Sequence, residues 1–69
     1  MKKDERTEYQ KISEYLREYE EEKPYKQKGI DWICDRIDWA WHWRKITDLQ
    51  KTELCDRACF ILEGQIRRL

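Results

Sequence analysis

The sequence predicts an all-α fold, a small three-helix protein, and three observations carry that prediction. The first is the residue palette: Glu, Lys, Arg, Ile and Leu dominate the 69 residues while valine and asparagine are absent, a choice that favours helix over strand. The second is the placing of the helix breakers. Pro24 cannot continue a helix and biases Lys23 toward extended backbone, and Gly29 follows closely, so 23–29 is a linker. The third is Thr47-Asp48-Leu49-Gln50, which has the spacing of a capping box with Thr47 as N-cap. Together they place helices at 4–22, 30–45 and 48–68 within a single helical domain, 1–69.

A chain this short buries only about 60% of the surface its unfolded form exposes, so a disulfide, a metal or a partner chain would matter to its stability. The formal charge is zero, with 15 basic and 15 acidic residues, which argues against a protein held to nucleic acid or anionic lipid by surplus basic charge. The neutral total hides a contrast. Residues 1–22 hold eight acids and five bases, whereas the linker supplies Lys23, Lys26 and Lys28 with no acid. No apolar run is long enough to cross a bilayer, and the start Met1-Lys2-Lys3-Asp4-Glu5-Arg6 leads into polar helix. The expected location is therefore cytoplasmic, without membrane contact. Three cysteines, Cys34, Cys55 and Cys59, cannot all pair within one chain and lack the spacing of a secreted framework, so reduced thiols are the default.

In the first helix Tyr9, Ile12, Leu16 and Tyr19 recur at helical spacing with Tyr15 beside them, a narrow stripe suited to an outer helix. The second helix carries more information. At about 100° per residue, Ile30, Ile33, Cys34, Ile37, Ala40 and Trp41 gather on one side, and Trp32, Trp39, Trp43 and Ile46 nearly opposite. Apolar on two faces, this helix is expected at the centre of its assembly, with Ile30, Ile37 and Trp41 against the third helix. The third helix offers a core arc of Leu54, Cys55, Ala58, Ile61, Leu62 and Ile66, extended by Leu69; Leu49 and Phe60 lie off it. Two readings of Trp32, Trp39 and Trp43 stay open. Either the tyrosine stripe of the first helix covers them as core, or they form an interface, where Trp and Tyr are enriched as anchors.

Little of the sequence points to chemistry. Cys34, Cys55, Cys59 and His42 make a Cys3His set on paper, but no short Cys-x2-Cys knuckle is present, and no cofactor or metal is expected. Cys34 and His42 stand about 12 Å apart along one helix, too far to share a proton. There is no phosphate-cradling motif and Ser13 is the only serine, so an enzyme is not expected. The function expected instead is a small non-catalytic protein-protein interaction module, adaptor or inhibitor, acting through Trp32, Trp39, Trp43, Tyr9 and Tyr19 with self-association as the leading case. The acidic first helix, through Glu14, Glu18 and Glu21 and with Glu8 beside them, would suit a basic groove on a target such as a nucleic-acid enzyme, in the manner of small inhibitors carried by mobile elements. The alternative is a helix-turn-helix-like nucleic-acid-binding regulator, suggested by the short turn before the third helix, by Lys51, Arg57, Arg67 and Arg68, and by the basic linker around Tyr25.

Overall fold

The structure, a computed structural model, describes residues 6–67, with side chains described through residue 64. It contains three helices, α1 (Glu8–Glu20), α2 (Ile30–His42) and α3 (Asp48–Arg67), and no strand among the described residues. Each helix packs against the other two. The expected all-α, three-helix architecture is therefore the one observed, but α1 runs from Glu8 to Glu20 rather than over 4–22, with Thr7 already extended, and α2 stops at His42 rather than 45; the expected end at residue 68 lies outside the described residues.

Capping explains where α1 and α3 begin, while α2 starts after Gly29 without a side-chain cap. Thr47 caps α3 as its sequence predicts: its amide donates to the Gln50 Oε1 at 3.0 Å, and its Oγ1 accepts from the Gln50 amide at 3.1 Å. The same box opens α1, where Thr7 and Gln10 exchange bonds of 2.9 and 3.2 Å. Each box satisfies two amide donors that a helix N-terminus otherwise leaves without partners.

Two left-handed residues explain where α1 and α2 stop. Glu22 has φ 54° and Arg44 φ 58°. After α1 the Glu22 amide donates to the Tyr19 carbonyl (3.1 Å) and the Lys23 amide to the Glu18 carbonyl (3.0 Å). After α2 the Arg44 amide donates to the Trp41 carbonyl (3.0 Å) and the Lys45 amide to the Ala40 carbonyl (2.7 Å). Both are Schellman closures, in which a left-handed residue turns the chain and its neighbours satisfy the last carbonyls.

The early stop of α2 changes one assignment. Continued helical rotation would put Ile46 with the tryptophans, but the reversal at Arg44 sends it into the core, where it is 6% exposed. That core consists of Ile12 and Leu16 from α1, Ile33, Ile37 and Ala40 from α2, Ile46, and Leu54, Ala58 and Ile61 from α3. Ile30, Cys34, Cys55, Tyr9, Tyr15 and Tyr19 flank it, half-buried. Burying side chains of this size contributes about 1.5–3 kcal/mol each against the entropy of ordering the chain.

The expectation that α2 is buried on both sides is corrected by this packing. Three helices in mutual contact meet on adjoining faces, so α2 buries only the side bearing Ile33, Ile37 and Ala40. Trp41 is likewise no core residue. It sits at the open edge of the α2–α3 contact, 40% exposed, because its indole N–H donates to Asp48 Oδ1 (2.6 Å) and its ring lies 4.0 Å under the Lys51 ammonium. An indole needs an acceptor, and Asp48 at the start of α3 provides one at this rim.

Polar ties join the helices above the core. Arg57 of α3 donates to Glu20 through Nε (3.0 Å) and a terminal nitrogen (2.5 Å), and to the Ser13 hydroxyl (2.6 Å) and carbonyl (3.3 Å). The Tyr9 hydroxyl donates to Glu53, a second bond between α1 and α3. Arg36 of α2 forks onto Glu8 of α1 at 2.9 and 3.1 Å.

Candidate protein-interaction face

The side of α2 turned away from the core carries the residues of greatest functional interest. Trp32, Trp39 and Trp43 are 40%, 41% and 61% exposed, a large aromatic surface for a chain of this size. Their spacing places them in one row along the helix. Arg36 occupies the turn between the first two, its guanidinium 4.0 Å from the Trp39 ring centre and 6.0 Å from that of Trp32. Lys28 stands 4.8 Å from the Trp32 ring centre on the linker side. Tyr15 of α1 meets Trp32 edge-on at 5.6 Å.

This framework holds the row in place without covering it. Arg36 is fixed at its charged end by Glu8 and along its plane by the tryptophans, so Trp32 and Trp39 keep a defined orientation at little further entropic cost. Trp39 and Trp43 tilt by 48° with ring centres 6.4 Å apart, and His42 meets Trp43 edge-on at 5.7 Å. Rigid, half-exposed aromatic rings are the side chains that anchor protein interfaces. The role of Arg36 was absent from the sequence-based expectation, although its position one turn from both Trp32 and Trp39 is the spacing a stacked cation requires.

The other expected contact residues are used largely within the fold. Tyr9 bonds Glu53, and Tyr19 donates to the Lys28 carbonyl at 2.8 Å. Burial pushes the Tyr19 phenol up in pKa, and the bond to Glu53 does the same for Tyr9. Among the acids, Glu18 accepts from the Gln27 amide (3.0 Å), Glu14 pairs with Arg6, and Glu21 lies 3.5 Å from Lys23. Two bases of the nucleic-acid alternative are similarly engaged: Arg57 with Glu20 and Ser13, and Lys51 with Trp41 and Asp38. Side chains of Arg67 and Arg68 lie outside the described residues.

No reactive constellation is assembled among the described residues. Burial raises the pKa of the Cys34 and Cys55 thiols, the opposite of what an activated nucleophile needs. No group of three or more His, Cys, Asp or Glu side chains there is arranged to hold a metal ion. A shallow groove of about 520 Å³ runs between the end of α1 and α3, past Tyr19, Lys26 and the exposed Phe60. No helix among the described residues is long and apolar enough to cross a membrane. In comparisons with known proteins, no family model, no curated protein and no solved structure matches the chain.

Proposed function

We propose that this chain is a small non-catalytic protein-protein interaction module that engages its partner through the tryptophan row of α2. The observation that carries the proposal is that Trp32, Trp39 and Trp43 are each at least 40% exposed while Arg36, Tyr15 and Lys28 hold Trp32 and Trp39, and Trp43 leans on Trp39 and His42. Leaving such surface in water is costly, and exposed aromatic patches on small proteins mark contact sites. The face is also prepared for binding. Rings already locked by stacking lose little freedom on association. The acidic first helix supports a role in binding a basic target less directly, since Glu8, Glu14, Glu18 and Glu20 already make bonds to Arg36, Arg6, Gln27 and Arg57.

The test compares wild type with the Trp39→Ala/Trp43→Ala double variant as immobilised bait, with bound proteins identified by mass. Both side chains lie outside the core, so the variant should keep its helical circular dichroism. A partner retained by wild type and lost by the folded variant is the expected result. An identical set retained by both baits would remove the tryptophan row from the reading.

A further inference from the structure

The charges around the tryptophan row say what kind of surface fits it. Asp31 and Asp35 lie toward the N-terminal end of α2, and Arg44 and Lys45 just beyond its C-terminal end. All four are exposed, and none makes an ion pair among the described residues. Of the other charges of the helix, Arg36 bonds Glu8, and Asp38, its side chain still 78% exposed, lies 3.9 Å from Lys51 of α3. The exposed face therefore has two unpaired acids at one end, where Lys28 also stacks on Trp32, two unpaired bases at the other and tryptophan between.

A surface so divided is complementary to itself turned end for end. We infer that the occupant of the α2 face is a second copy of this chain, its α2 packed antiparallel to the first about a two-fold axis. This rests on the reading of the tryptophan row as the interaction face. In a two-fold contact every pairing occurs twice, so Asp31 and Asp35 of each chain meet Arg44 and Lys45 of the other, making a charge cluster at each end. Within the helix Asp35 and the C-cap Trp43 are separated by about 12 Å, and Trp39 lies midway between them, so a copy that seats Asp35 against the chain just after Trp43 has Trp39 at its centre. The axis therefore passes close to Trp39 and brings the two Trp39 rings to the centre of the contact, where binding energy concentrates. Trp32 and Trp43 flank it, and the charges form the rim. A parallel arrangement would stack acid on acid and base on base, so the same pattern excludes it; antiparallel helix dipoles favour the same choice.

Charge reversal in halves tests the pairing. Asp31→Lys/Asp35→Lys and Arg44→Glu/Lys45→Glu each make both ends of the contact repulsive. An equimolar mixture of the two variants makes both ends attractive again, in a mixed dimer. Light scattering over a dilution series should give wild type twice the chain mass of 8.7 kDa. Each variant alone should dissociate at a concentration at least about tenfold higher than wild type does. The mixture should regain the wild-type mass, and tryptophan emission should move to the blue as the dimer forms. Circular dichroism confirms that each chain is helical; if a double variant unfolds, Asp35→Lys and Lys45→Glu singly replace it in the same mixing experiment.

A wild type that stays at 8.7 kDa throughout overturns the second copy as occupant and leaves the wider reading to its own bait experiment. A dimer that both charge variants retain, or that the mixture fails to restore, overturns the antiparallel pairing. A dimer unaffected by Trp39→Ala/Trp43→Ala as well would place self-association on another face and remove the tryptophan row from it.

Discussion

Arg44 should be more stable as glycine than as alanine, and the size of the difference follows from its backbone. At φ 58° a residue with a Cβ carries the steric cost of the left-handed region, about 1 kcal/mol or somewhat more, while glycine carries none. The conformation is imposed because the Arg44 and Lys45 amides must reach the Trp41 and Ala40 carbonyls for the chain to turn Ile46 into the core. Arg44→Gly and Arg44→Ala both remove the same charge and the same exposed side chain, so their comparison isolates the backbone. Glycine's extra freedom in the unfolded chain offsets part of the gain, leaving a net difference of about 1 kcal/mol in favour of Arg44→Gly. For a domain of this size that corresponds to roughly 4–8 °C in melting temperature. Thermal and urea unfolding at one protein concentration, followed by circular dichroism, measure it. Equal stability of the two variants, or a more stable Arg44→Ala, would refute the assignment of Arg44 to a left-handed helix cap.

Two further outcomes follow from the titratable groups. The hydrogen bonds from Arg57 hold the Glu20 carboxyl below its ordinary value of 4.5, so its contribution to stability is full above that value and is lost as pH falls through the lower folded value. The acid limb of the pH-stability curve should therefore be shallower in Glu20→Gln than in wild type, and superimposable limbs would mean that the Arg57 contact contributes nothing in solution. Among the thiols, Cys59 is exposed while Cys34 and Cys55 are half-buried with pKa values raised by burial. An aromatic disulfide reagent should label Cys59 first, with the other two following slowly; equal rates at all three, resolved by peptide mapping, would contradict the packing around α2 and α3.

The parts of this fold legible in the sequence are those encoded over three or four residues. Thr47 to Gln50 announced the start of α3, and the periodic Ile12 and Leu16, Ile33 and Ile37, Leu54 and Ala58 announced the core. Thr7 to Gln10 spells the same box, a signal for the start of α1 that the expected start at residue 4 leaves unused. Helix ends were harder because their usual signal is glycine, and here Glu22 and Arg44 take the left-handed position. That substitution also misplaced Ile46, whose direction depends on a reversal that periodicity cannot see. The tryptophan row itself was visible from spacing alone. What held it was not: the bond from Arg36 to Glu8 and the Arg57 contacts with Glu20 and Ser13 join residues far apart in sequence, and local pattern carries no information about such pairs.

The linker offers a separate consequence. Its Lys26 and Lys28 give a trypsin-like protease two cleavage points within one surface connection, since Pro24 blocks cutting after Lys23, and neither bond lies open. The carbonyl of the Lys28–Gly29 bond is held by the Tyr19 hydroxyl, and the Gln27 amide by Glu18. A protease needs its substrate extended in the active site, so cutting after Lys28 requires releasing the bond to Tyr19. Cutting after Lys26 likewise requires releasing the Gln27 amide from Glu18, so at both lysines the connection from α1 to α2 resists cleavage for as long as α1 holds it.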